Sequence, residues 1–161
     1  TIMVTHDPEE AMAMADRILV LVDGVPVQLD TPQALWRSPA HPFIAESIAD
    51  MQSIRGQVSD KCIVTAFGSL PLARVTNAAD LTPGQMVTLG VRNHCAASDS
   101  ATSSESNTCV VVDLRFDDGK WVALARSGDQ QLRVVFHDKP YLQTGDPIAL
   151  NFMDVEAVAY N

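Results

Sequence analysis

Apolar and polar positions along the chain change rhythm near residue 50. Thr1–Thr5 is short, apolar and β-branched, a pattern that predicts a strand. Asp7-Pro8-Glu9-Glu10 follows as a helix start. Asp7 can cap, Pro8 suits the first helical position, and Glu10 stands where a capping-box carboxylate reaches back. The predicted helix runs through an Ala/Met-rich stretch to about Asp16. Arg17–Val22 and Val25–Leu29 read as two strands joined by Asp23-Gly24, a favoured two-residue hairpin turn. Thr31-Pro32 opens a short helix ending near Ser38-Pro39, and a third runs from about Pro42 to Met51 with Phe43, Ile44 and Ile48 toward a core.

Beyond residue 51 the helical period gives way to short β-rich runs. The candidate strands are Ile54–Ser59, Cys62–Phe67, Leu70–Val75, Met86–Arg92, Cys109–Phe116, Lys120–Ser127, Gln131–His137 and Ile148–Phe152. Turn signals fall at Asp117-Asp118-Gly119, Ser127-Gly128-Asp129 and Gly145-Asp146-Pro147. Ala96–Thr108 holds five Ser and two Thr, which predicts a flexible surface loop. Many short strands at this spacing favour a small OB-like barrel. The fold class expected is therefore α+β: a short α/β segment over residues 1–51, then a small β-barrel over residues 52–161.

Charge narrows the function. The 161 residues carry a formal net charge of −9, which argues against a nucleic-acid sheath and against a polybasic membrane-surface patch. Residues 1–50 hold two Arg against eight acids (−6), and residues 51–161 nine basic against twelve acidic groups (−3). The longest aliphatic run, Ile18-Leu19-Val20-Leu21-Val22, is far shorter than a membrane span. No basic segment followed by an apolar one opens the chain, so no secretory leader is read there. Cys62, Cys95 and Cys109 form no C-x-x-C pair, a usage that points to a reducing compartment. The opening Thr-Ile-Met-Val, without an initiator Met, predicts a piece of a longer protein.

Each candidate for chemistry has a plainer competitor. His6 lies between a strand end and a helix N-terminus, where an imidazole can reach a phosphate and an attacking water, or where it is simply a surface residue. Glu9 and Glu10 read as an acid/base pair or as first-turn acids favoured by the helix dipole. His6, Asp7 and Glu10 read as metal ligands only if a fourth ligand and a rigid frame are supplied. His94-Cys95 and Cys109 flank the Ser-rich loop and offer zinc, a disulfide or plain buried thiols. Met3, Met12 and Met14, with Ala11, Ala13 and Ala15, read as core material. Arg74, Arg92, Arg115, Arg126 and Arg133 suit an oxyanion pocket or, by strand alternation, solvated faces.

One longer string is more specific. Val4-Thr5-His6-Asp7, Pro8-Glu9-Glu10-Ala11 and Ala15-Asp16-Arg17-Ile18 continue into Asp23-Gly24, Gln28, Thr31-Pro32, Leu35-Trp36, Pro39 and Phe43-Ile44-Ala45. The order and spacing resemble the switch-histidine region of ATP-binding-cassette (ABC) ATPases, above all importer subunits, through about residue 50. The rest resembles that family's C-terminal TOBE domain, a molybdate-binding-like β-barrel, on Pro83-Gly84-Gln85 with Val87–Arg92 and on Leu142–Leu150 with Gly145-Asp146. Two positions depart from the pattern: Asn93-His94 follows Arg92 where Pro-Glu is common, and Asp30 precedes Thr-Pro where glycine is common.

The resemblance implies a parent that binds ATP and Mg, hydrolyses ATP during nutrient uptake, and uses His6 at the γ-phosphate. Its partners would be membrane permease subunits and a second copy of itself, on the cytoplasmic face of the membrane. Iron(III) is the favoured solute, with polyamines, sulfate or phosphonates as relatives. The chain lacks a G-x-x-x-x-G-K-[ST] loop, a signature Ser-Gly-Gly and an Asp-Glu strand end. Alone it is expected to hold no cofactor, to bind no nucleic acid and to leave His6 idle. Cut from its sheet, it is expected to dimerise, with possible exchange of residues 1–16, or to be disordered there. The alternative reading is a stand-alone small-oxyanion-binding or dimerisation β-barrel module.

Overall fold

The computed structural model describes residues 1–92, 96–97, 109–151 and 155–160. Helix α1 spans Pro8–Met14, and strands β1 (Ile18–Val22) and β2 (Val25–Asp30) form an antiparallel hairpin. Its turn residues Asp23 and Gly24 have φ of 51° and 78°, the left-handed backbone that a two-residue turn requires. A register shift between Val20 and Leu21 lets Pro26 sit at an irregularity, where no ladder N–H is needed. Helices α2 (Pro32–Arg37) and α3 (Pro42–Ser47) follow, each with Pro in its first turn. Thr31 caps α2 and the His41 ring caps α3.

This N-terminal segment closes one small cluster. Val20 of β1 packs with Leu35 and Ile44, joined by Ile18, Val27 and Ile48. The opposite face of the hairpin leaves Leu19, Leu21, Val25 and Leu29 exposed. Three expectations change here. Thr1–Thr5 is not a strand, and Ile2 and Val4 are each 95% exposed. A lone extended segment has no ladder to join, so β-propensity finds no partner. Helix α1 buries none of its residues, so Met12 and Met14 are not core, and Met3 is exposed too. Phe43 is also exposed, whereas Ile44 beside it is fully buried.

The β half opens with β3 (Met51–Val58), so α3 ends earlier than its periodicity suggested. Strands β4 (Cys62–Thr65) and β5 (Gly68–Pro71), a 3-10 turn at Leu72–Arg74, and β6 (Val75–Thr76) come next. Then follow β7 (Met86–Arg92), β8 (Ala96–Ala97), β9 (Cys109–Asp117), β10 (Lys120–Ser127) and β11 (Gln130–Phe136). The chain closes with β12 (Pro147–Ile148), β13 (Leu150–Asn151) and β14 (Ala157–Tyr160). Ala96–Ala97 pairs with β13, so the Ser-rich segment begins with a strand rather than loop, and residues 98–108 lie outside the described residues.

Two curled sheets face each other, a six-stranded one ordered β5-β4-β3-β7-β14-β6 and a four-stranded one ordered β11-β10-β9-β12. Their inner faces share one core, including Ile54, Leu89 and Val91 from the first and Val111, Ala123 and Leu132 from the second. Among the described residues the sheets are half-barrels over that core, without a ladder joining them. The six-stranded sheet is covered on its outer side as well, where Met51, Val158 and Tyr160 meet Ala45 and Ala49 at the end of α3. Gly90 makes this contact possible, because a Cβ there would stand 3.1 Å from the Tyr160 ring and 3.2 Å from the Met51 sulfur. Strand β14, missed by pattern, is buried at all four positions. With both faces covered it shows no alternation to read.

Candidate functional site

The entrance to α1 is built by three consecutive polar side chains. Asp7 Oδ1 accepts the backbone N–H groups of Glu9 at 2.9 Å and Glu10 at 3.3 Å. The Asp7 N–H donates to Thr5 Oγ1 at 3.1 Å. The reciprocal half of the cap therefore comes from Thr5 upstream, not from Glu10 as expected. Glu9 and Glu10 stay exposed in the first turn, where the dipole favours them. His6 stands between Thr5 and Asp7, exposed, at the point where the chain turns into the helix.

Chemically this gives an imidazole with open access and a helix start whose first donors are already taken. Such a start has no spare N–H pair for a phosphate, and the sequence has no glycine-rich Lys-Ser/Thr loop to supply one. Beside α1, a cleft of about 380 Å³ is lined by Glu9, Met12, Trp36, Glu46 and Asp50. No cluster of three His, Cys, Asp or Glu suited to a metal exists among the described residues.

The five candidate arginines are distributed over the molecule rather than gathered into a pocket. Arg92, at the end of β7, donates to the Ala49 carbonyl at 2.9 Å and to the Trp36 carbonyl, and lies over the Trp36 ring at 5.0 Å. It thereby binds the ends of α2 and α3 to the six-stranded sheet. Partial burial lowers its pKa, against the opposing pull of Glu156 and Asp50. Arg133 reaches Asp50 at 3.2 Å, and its backbone N–H and carbonyl are both bonded by the Gln52 side chain. Arg115 lies 4.0 Å from Asp117, and Arg74 and Arg126 are on exposed surface. Two of the five thus approach Asp50, where a carboxylate already answers them.

The cysteines separate as well. Cys109 is fully buried in β9, and burial pushes its thiol up to about 11. Cys62 is half-buried on β4, in the other sheet. Both are free thiols; His94 and Cys95 lie outside the described residues. Pattern reading missed the join made by Arg92 and Trp36, and also an aromatic row at the end of the second sheet. Trp121 pairs across β10 with Phe116 of β9 and Phe136 of β11. That row was latent in the sequence, since the two short turns of this meander fix both pairings.

No helix among the described residues is long and apolar enough to cross a membrane. No family model matches the chain. The sulfate/thiosulfate import ATP-binding protein of Photorhabdus laumondii is 38% identical over 72 residues, covering 45% of this chain and 20% of that protein. The protein of the same description from Cucumis sativus is 34% identical over 94 residues, 58% of this chain and 26% of its own. The spermidine/putrescine import ATP-binding protein of Trichodesmium erythraeum is 44% identical over 57 residues, 35% of this chain and 15% of its own. The similarity to each is partial, and it spans between about a seventh and a quarter of these relatives' length.

Proposed function

We propose that this chain is the C-terminal part of the ATP-binding subunit of an ABC import system. Residues 1–51 would end its nucleotide-binding domain and residues 52–161 would form a TOBE-type regulatory β domain. The observation that carries the reading is the kinship with importer ATP-binding proteins. The Asp7-capped start of α1 supports it by presenting His6 openly where the chain enters the helix. In the whole subunit His6 would contact the γ-phosphate and the attacking water, ATP and Mg being held by segments preceding Thr1. Such a subunit would work on the cytoplasmic face of the membrane with permease subunits and a second copy of itself.

The solute is a small charged or polar nutrient. The relatives' descriptions favour sulfate or a polyamine, and iron(III), expected from the compact β half, stands behind them. A stand-alone oxyanion-binding module draws less support, because Arg92, Arg115 and Arg133 already have protein partners.

The test is to read the gene upstream of the Thr1 codon. The expected result is an open frame of roughly one further domain carrying a phosphate-binding Gly-Lys-Ser/Thr loop. A start codon immediately before Thr1 would overturn the proposal. In the intact subunit His6→Ala should lower the ATP turnover rate by about a hundredfold or more while nucleotide still binds.

A further inference from the structure

The row formed by Phe116, Trp121 and Phe136 lies on the same side of its sheet as Leu114, Ala123 and Val134. That is the side facing the shared core. The row continues the core's apolar face: Phe136 still packs against the core, and among the described residues Phe116 at the other end is left largely uncovered. Phe116 is 62% exposed there. Its ring meets Trp121 at 5.5 Å between centroids with a 55° tilt. Segment 139–144 passes opposite and leaves a cleft of about 680 Å³, lined by Leu114, Trp121, Lys139, Tyr141, Leu142 and Asp146. Ligand sites occupy volumes of this order and favour the mouths of barrels.

We propose that this end of the β half binds a small organic anion with one flat ring, the ring against Trp121 and Leu114 and the charge on Lys139. Lys139 holds its ammonium over the Trp121 ring at 5.3 Å. Among the described ion pairs it has no carboxylate partner. The carboxylate lining the cleft, Asp146, is held in place by accepting the Gln143 N–H through Oδ2 at 2.8 Å and keeps its charge. A bound anion therefore finds one cation in place without having to break an ion pair. Asp117 and Asp118 at the hairpin tip and Asp138 beside Lys139 are exposed, where solvent and salt screen their charges. Trp121 supplies stacking area, which rewards a flat ring over an aliphatic chain. The site stands independently of the transport reading.

A matched pair of probes decides it: phenylacetate and phenethylamine, titrated into the 161-residue chain and followed by backbone amide shifts in NMR. Phenylacetate is expected to give saturable shifts confined to Leu114–Trp121 and residues 139–146, with phenethylamine weaker. Lys139→Glu should weaken phenylacetate by about tenfold or more and abolish its advantage. Trp121→Ala should weaken both probes by about three- to tenfold. Unshifted amides in β3 and β7 verify the fold of each variant. Shifts that fail to saturate, that centre on the exposed face of the β1–β2 hairpin, or that Lys139→Glu leaves unchanged would each overturn the proposal.

Discussion

The N-terminal segment and the β half solve opposite packing problems. In the β half, two sheets turn their apolar faces toward one another, and the six-stranded sheet is covered on its outer side too. In the first thirty residues the apolar side chains outnumber the surfaces that can receive them. Helix α1 buries nothing, and the hairpin β1–β2 hides one face while leaving Leu19, Leu21, Val25 and Leu29 outward. An apolar pattern thus becomes a core only where a second layer exists to accept it. Among the described residues, much of the apolar pattern of residues 1–30 meets no such layer.

The sharpest test of that contrast is truncation of core residues. Leu89→Ala and Leu132→Ala, at positions with no exposure, should each cost about 2–5 kcal/mol in urea unfolding. Ile2→Ser and Met14→Ser should stay within about 0.5 kcal/mol, because nothing buries them. Equal losses in the two regions would erase the distinction.

Overpacking should be felt nearly as strongly. A Cβ on Gly56 would stand 2.6 Å from Ile63 Cγ2, so Gly56→Ala should destabilise the chain by about 1–3 kcal/mol in the same assay.

Arg92→Met probes the join between the two regions. It keeps the stem but abandons the carbonyls of Ala49 and Trp36, at a cost of about 1–3 kcal/mol. Hydrogen exchange should accelerate in α2 and α3 while core amides of β9 and β10 stay protected. Uniform acceleration would mean that the two regions unfold as one.

Alkaline pH offers a smaller, signed effect. Burial raises Cys109 from 9.0 to about 11 and Tyr160 from 10.0 to about 12. Above its ordinary pKa each group loses its proton in the unfolded chain before it does so in the fold. Stability is therefore full below about pH 9 and falls through pH 9–12. Cys109→Val should remove the lower part of that fall, and a melting temperature flat across the window would contradict both burials. Smallest of all is Asp7→Ala, which should cost α1 about 0.5–1 kcal/mol of local stability. The change should be visible as faster exchange at Glu9 and Glu10, with no change in the β half.

Local chemistry was the most legible part of the sequence. The Asp7 cap, the Asp23-Gly24 turn and the bounds of β7 and β10 follow from side-chain types and spacing within a few residues. The Thr1–Thr5 strand failed because a strand needs a neighbour, and no propensity supplies one. Strand β14 escaped notice because covering both faces removes the period of two. The position of His6 before a capped helix was readable from its neighbours in sequence. The work of Arg92 was not, since its partners Trp36 and Ala49 are distant in sequence.

By itself, then, the sequence determined the local elements, the change from α/β to β near residue 50, and the string around His6 that points to importer ATPases. These depend on residues close along the chain, where the backbone's few allowed conformations leave little choice. The tertiary structure decided which apolar faces become core, which arginines are fastened to carbonyls, and that three rings align at one end of the β half. Those outcomes depend on surfaces meeting across long stretches of chain, and only the assembled sheets bring them together.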